Sequence, residues 1–237
     1  MNKPHLLVGC SFTDPTWQTA IPWSVEYAKI HPSYISAKAG MGIKGICTEA
    51  MYNLKEIDNI SRVIIILPTL WRMDIELDEE AIWCNCMVDF LYAEQTVTVV
   101  KKAKRKWFKS GGLHYPKNEQ HSHILDWLYK NQGFLTIAKE HFRALTILID
   151  YCKLHHIEYA ISAIQDPMSQ LTGLDYIKDE ICKLLEEVEY NSWFKFDNKF
   201  IDQYLGHTRH PSTIEHQKLC TEILENFKQG NIHGKTI

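Results

Sequence analysis

The sequence contains no long hydrophobic run and no marked excess of charge of either sign. None of its apolar stretches approaches the roughly 20 residues that a membrane-spanning helix requires. The formal net charge of −3 argues neither for nor against a polyanionic partner. Internal repeats and low-complexity segments are also absent from the sequence. These absences exclude the membrane-spanning and repeat classes and predict a globular chain with one substantial core.

The sequence also lacks the signature of an exported protein. His5 and Ser11 interrupt the apolar residues near the start, and no cleavage pattern follows them. The seven cysteines are odd in number and follow no disulfide-framework spacing. We therefore expect a cytoplasmic protein, or a virion-associated one if the source is a phage.

No cysteine or histidine cluster has the spacing of a metal site. The only close cysteine pair is Cys84 and Cys86, and a zinc site would require a second pair or suitably spaced histidines. The histidine pairs, which match no ligand template, are His121 with His123 and His155 with His156. We expect free thiols, no metal and no organic cofactor.

Short apolar stretches alternate with stretches of helical periodicity. Strands are predicted at residues 5–10, 34–37, 62–67 and 158–164. Helices are predicted at residues 22–30, 43–54, 119–155 with a break at Gly133, 176–188, and from Ser212 or Thr213 to 227. The continuous apolar run at 62–67 is typical of a strand that is buried on both faces of a parallel sheet. The alternation predicts an α/β fold with helices on both faces of the sheet.

Residues 71–115 interrupt this alternation, and we expect them to form an insertion with a small antiparallel element. A β-rich stretch at 96–100 leads into a basic segment, residues 101–109, which carries six positive charges in nine residues. That segment suits either a phosphate-rich ligand or nucleic acid, or a solvated edge strand that lysines protect from pairing.

A serine and a histidine at opposite ends of the chain suggest a nucleophile and its base. Ser11 lies in residues 9–12, Gly-Cys-Ser-Phe, directly after the first predicted strand, where open α/β folds place their ligands. His210 lies in residues 207–212, His-Thr-Arg-His-Pro-Ser. A serine hydroxyl needs an adjacent base to become nucleophilic. The alternatives are an ordinary strand-ending turn for Ser11 and an ordinary helix start for His210.

These residues, in this order, resemble the SGNH (GDSL-type) hydrolase superfamily. Its Gly-Asp-Ser block is matched by residues 9–11, with Cys10 in place of the aspartate. The glycine of its second block is matched by Gly40, and the histidine of its last block, Asp-x-x-His, by His210. His207 stands where the family has the aspartate, and residues 67–72 lack the asparagine of the third block. The resemblance implies a three-layer α/β/α fold with a flavodoxin-like parallel sheet.

The resemblance also implies a reaction, the hydrolysis of an ester. The substrate would carry a small acyl group such as acetyl on a carbohydrate or similar molecule. Ser11 would be the nucleophile and His210 the base, and the backbone N–H groups of Ser11 and Gly40 would form the oxyanion hole. Four further residues are expected near the substrate: Thr69, Trp71, Arg72 and His207.

Two other functions remain open from the sequence. The two lost blocks favour a degenerate SGNH-like domain that acts as a binding or structural module, for example in a phage particle or a surface-polysaccharide system. A nucleic-acid-associated protein would use the basic segment, but the net negative charge and the lack of a known binding module weaken that interpretation.

Overall fold

The fold is organised around a parallel sheet that lies between two layers of helices. A computed structural model of the protein describes residues 3–15, 20–70, 72, 74–77, 97–99, 106–109, 133–164, 167–171, 174–188 and 212–228. The strands of the main sheet are β1 (His5–Gly9), β2 (Ser33–Ala37), β3 (Arg62–Leu67), β5 (Val97–Val99) and β7 (Glu158–Ala163). They lie in the order β5-β2-β1-β3-β7, and every neighbouring pair is parallel.

The strand order reverses between β1 and β3, as in flavodoxin-like sheets. The chain places β2 on one side of β1 and then crosses to place β3 on the other side. Loops that leave the carboxyl ends of two such strands diverge to opposite faces of the sheet, which opens a crevice between them. This switch point is therefore the position at which the fold itself favours a ligand site.

Within the described residues, five α-helices cover the two faces of the sheet. They are α1 (Trp23–Ala28), α2 (Ile43–Glu56), α3 (Phe134–Leu154), α4 (Lys178–Glu187) and α5 (Thr213–Lys228). Two short 3₁₀ helices, Pro167–Leu171 and Asp175–Ile177, precede α4. Helices α2, α3 and α4 share one buried apolar cluster with the sheet, whereas α1 and α5 share a second. The chain thus has the three-layer α/β/α fold that the sequence predicts.

Strand β3 shows why the sheet is buried on both sides. Val63, Ile65 and Leu67 belong to the cluster beneath α2 and α3, whereas Ile64 and Ile66 belong to the cluster beneath α1 and α5. Successive side chains of a strand point to opposite faces, so a strand between two helical layers requires an uninterrupted apolar run.

The segment predicted to be an insertion contains two kinds of strand. Strands β4 (Asp74–Leu77) and β6 (Lys106–Lys109) pair antiparallel, with Asp74 opposite Lys109, which confirms the small antiparallel element. Strand β5, however, extends the main sheet as a parallel edge strand next to β2. The sequence analysis did not predict this second role, because pairing with β2 is a long-range contact.

Most predicted boundaries differ from the observed ones by one or two residues. Pro22 precedes the first turn of α1 instead of lying within it, and that helix ends at Ala28. Gly133 immediately precedes α3, as predicted for a break at that glycine. Ser212 caps α5: its Oγ accepts the Glu215 N–H at 3.4 Å, and the Glu215 carboxylate accepts the Ser212 N–H.

Candidate functional site

Ser11 lies in a tight turn at the carboxyl end of β1, next to the switch point. The N–H groups of Thr13 and Asp14 both donate to the Cys10 carbonyl at 2.9 Å, which curls residues 10–14 into a helical turn. The Ser11 side chain is only 3% exposed, and its Oγ lies 4.0 Å from Cys10 Sγ. Ser11 thus lies at the edge of the sheet where the β1 and β3 loops diverge.

Thr13 anchors the Ser11 turn to α1. The Trp23 indole N–H donates to Thr13 Oγ1 at 3.2 Å, and the Ser24 hydroxyl donates to the Thr13 carbonyl at 2.6 Å. The Thr13 side chain occupies the space over Gly9, where an added Cβ would lie 2.1 Å from Thr13 Oγ1. Glycine at position 9 therefore permits the close approach that fixes the turn.

A second turn, after β2, carries Gly40. The Met41 N–H donates to the Lys38 carbonyl at 3.2 Å, and Gly40 has a φ of 79°. These are the features of a type II turn with glycine in the left-handed position. The Asp14 carboxylate accepts the Ala39 N–H at 3.0 Å, so the Ser11 turn and the Gly40 turn are joined directly.

Arg72, which follows β3, lies against the same turn. Its Nη1 donates to the Met41 carbonyl at 3.2 Å, and the residue is 6% exposed. The Arg72 N–H donates to the Thr69 carbonyl at 3.4 Å, so these two of the four predicted substrate-site residues belong to one turn after β3. The fold therefore brings the loops of Ser11, Gly40 and Arg72 together at one edge of the sheet.

The beginning of α2 is held by two side chains that the sequence analysis did not assign to the site. The Asp74 carboxylate accepts the Gly42 N–H at 2.8 and 2.9 Å and the Gly45 N–H at 3.0 Å. His141, on α3, accepts the Lys44 N–H at its Nδ1 at 3.2 Å. Burial lowers the pKa of His141 to about 4, so the ring is neutral and can act as this acceptor. Together they fix the helix that follows the Gly40 turn.

Three predicted site residues, Trp71, His207 and His210, lie outside the described residues. The structure does, however, locate the start of α5, three residues after position 210. Thr213 Oγ1 accepts the Ile21 N–H at 3.3 Å, so the chain enters α5 beside the start of α1. His216, one turn into α5, is fully buried.

A weak local pattern in the sequence could have identified Asp14 and Thr13 as residues that fix the Ser11 turn. Both follow the predicted serine within three residues, in a Thr-Asp-Pro stretch that is typical of a turn. No local pattern could have identified Asp74 or His141. The partners of Asp74 lie 29 and 32 residues away along the chain, and the partner of His141 lies 97 residues away.

Among the residues that the structure describes, no group of three or more histidine, cysteine, aspartate or glutamate side chains has the arrangement of a metal site. No helix within these ranges is long and apolar enough to cross a membrane. Comparison with known proteins found no family model that matches the chain and no matching curated protein.

Proposed function

We propose that this protein is an SGNH-type serine ester hydrolase that removes a small acyl group, such as acetyl, from a carbohydrate or a similar substrate. The observation that carries the proposal is the position of Ser11, in an anchored turn at the switch point of a flavodoxin-like sheet. Neither a metal nor an organic cofactor takes part in the proposed reaction.

Ser11 is the proposed nucleophile and His210 the proposed base. His210 would accept the Ser11 proton and return it to the leaving group. In support, α5 begins beside the start of α1, and His210 precedes that helix by only three residues. Since α1 is also the helix to which Thr13 ties the Ser11 turn, the Ser11 turn and the start of α5 lie beside the same helix.

The proposed oxyanion hole consists of the backbone N–H groups of Ser11 and Gly40. The Gly40 N–H has no hydrogen-bond partner among the described residues, and the turn that presents it is fixed by Asp14 through Ala39. A preorganised backbone donor of this kind is worth a factor of about 10²–10³ in rate. We expect weak turnover overall, because an imidazole without its family aspartate can lose about 10⁴ in kcat.

The experiment that tests this proposal is labelling with a fluorophosphonate, which reacts with activated serines. The full chain should form one adduct, on Ser11, and Ser11→Ala should abolish it. Ser33→Ala is the matched control, since Ser33 is also a buried serine of the sheet but lies at the opposite edge. His210→Ala should slow labelling, and His207→Asp should raise ester hydrolysis by restoring a carboxylate beside the base.

A metal-free mechanism adds a second test. Prolonged treatment with a chelator should leave ester hydrolysis unchanged. Loss of activity with the chelator, and its recovery with zinc, would contradict the proposed mechanism.

The second candidate function is a binding module without catalysis. The burial of Ser11, at 3% exposed, favours it, because a nucleophile must be reached by its substrate. If the folded chain forms no adduct while a control esterase is labelled, and His207→Asp gains no activity, the binding module becomes the better interpretation.

A further inference from the structure

Arg72 carries a buried positive charge that no described carboxylate neutralises. The residue is 6% exposed, and a guanidinium is a cationic group with N–H donors and no acceptor. Its Nη1 donates to the Met41 carbonyl, whereas its Nε, a buried atom, has no hydrogen-bond partner among the residues that the structure describes. The ion pairs within the described ranges join other residues.

The two acidic side chains around this turn are directed to backbone groups. Asp74, two residues after Arg72, accepts the N–H groups of Gly42 and Gly45 at the start of α2. Asp14 accepts the N–H of Ala39. Neither forms an ion pair with the Arg72 guanidinium, whose hydrogen-bonding partner within the described ranges is one neutral carbonyl, that of Met41.

A purely structural role would not require this charge. Burying an ion without a counter-ion costs several kcal/mol, and a neutral donor could hold the Met41 carbonyl equally well. A guanidinium presents a planar set of N–H donors that matches the two oxygens of a carboxylate, or two oxygens of a phosphate or sulfate. The Nε–H of Arg72, which has no partner in the described part of the chain, is one of these donors.

We infer that Arg72 binds the anionic oxygens of a ligand at the carboxyl edge of the sheet, beside the Gly40 turn. The ligand class is an oxyanion, either a carboxylate or a phosphate or sulfate ester, such as those of acidic carbohydrates. The Met41 carbonyl positions the guanidinium next to the turn that the proposed mechanism uses. The inference goes beyond the proposed hydrolysis and does not depend on it, since anion binding is measurable in a chain that hydrolyses nothing.

The test is a titration of the full chain with acetate, inorganic phosphate and sulfate at constant ionic strength. The readouts are calorimetry and the NMR signal of the Arg72 Nε–H. At least one anion should shift this signal and bind in a one-to-one complex. Arg72→Lys should weaken that binding by roughly 10- to 100-fold, since it removes the paired donors and keeps the charge. Arg143→Lys, on an exposed position of α3, should leave it unchanged.

The three anions separate the possible sources of the oxygens. A response to acetate alone identifies a carboxylate ligand, and a response to phosphate or sulfate identifies a phosphate or sulfate ester. If no anion shifts the Arg72 Nε–H of the unmodified chain, the inference is wrong, whatever the variants do. It is also wrong if Arg72→Lys binds the anions as tightly as the parent. Because no step measures hydrolysis, a failed labelling of Ser11 leaves this result intact.

Discussion

The amino edge and the carboxyl edge of the main sheet use their polar side chains differently. At the amino edge, the first residues of β1, β3 and β7 are His5, Arg62 and Glu158, and these side chains are paired locally. Nε and Nη2 of Arg62 both donate to Oε2 of Glu158. His5 Nδ1 and the Tyr27 hydroxyl share a hydrogen bond of 2.9 Å, and His5 stacks on His31.

At the carboxyl edge, the polar side chains hold the backbone of loops. Asp14 and Asp74 each accept backbone N–H groups, and Arg72 donates to a backbone carbonyl. The two arginines that flank β3 thus differ in one respect: Arg62 has a carboxylate partner and Arg72 has none among the described residues. At the amino edge, charged side chains thus pair with each other, whereas at the carboxyl edge they hold the backbone of loops.

The largest effect is expected from Asp74→Ala at the carboxyl edge. The substitution leaves the buried N–H groups of Gly42 and Gly45 without their acceptor. At about 1–3 kcal/mol for each of the two donors, the free energy of unfolding should fall by ~2–6 kcal/mol. Urea denaturation measures it, with Asp150→Ala, an exposed position on α3, as the control that should change stability by less than about 0.5 kcal/mol. Equal effects of the two substitutions would show that Asp74 does not hold α2.

Acid should destabilise the protein through one histidine in each region. Burial lowers the pKa of His5, at the amino edge, and of His141, beside α2, to about 4 from about 6.5 in the unfolded chain. Between these values the unfolded chain binds protons that the folded chain does not. Stability is therefore full above about pH 6.5 and falls towards pH 4, by about 1.4 kcal/mol per pH unit for each histidine.

Urea denaturation at several pH values measures this slope, and His5→Phe should remove half of it. His141→Gln, which keeps an acceptor for the Lys44 N–H, should remove the other half. A parent slope that neither substitution reduces would assign the acid sensitivity to other groups.

The two arginines offer the most direct comparison of the edges. Arg62→Met leaves the partly buried Glu158 without its partner, so the free energy of unfolding should fall by ~1–2 kcal/mol. Arg72→Met removes a buried charge together with a single hydrogen bond to a carbonyl, so stability should stay the same or rise. Thermal denaturation in anion-free buffer measures the stability of both variants against the parent. If both lose stability equally, the two arginines are alike and the contrast between the edges fails.

The last comparison concerns the backbone of the carboxyl edge and uses Gly40→Ala in the turn after β2. With a φ of 79°, alanine at this position is strained by about 1–2 kcal/mol. Gly40→Asn should cost less, because asparagine tolerates the left-handed conformation better. Urea denaturation compares the two, and an equal loss for both would mean that contacts, not the backbone angle, require glycine at this position.

Local sequence patterns predicted most of the fold. The apolar run at 62–67 predicted a strand buried on both faces, and β3 is such a strand. The last helix was predicted to begin at Ser212 or Thr213, and Ser212 is its cap; this was predictable because both partners of the cap lie within one turn. The pairing of β5 with β2 was missed, since three residues carry too little periodicity to identify a partner 64 residues away.

At the site, local sequence patterns were enough to place Ser11 at the end of a buried strand and Gly40 in the turn after β2. These follow from local patterns, since alternation of strands and helices places every strand end at one edge. Other features depend on tertiary contacts alone. Asp74 and His141 hold α2, and Asp14 joins two loops. Arg72 is buried without a carboxylate partner among the described residues. The physical reason is that a buried hydrogen bond or ion pair depends on which groups the packed chain brings within about 3 Å, and no local pattern encodes that distance.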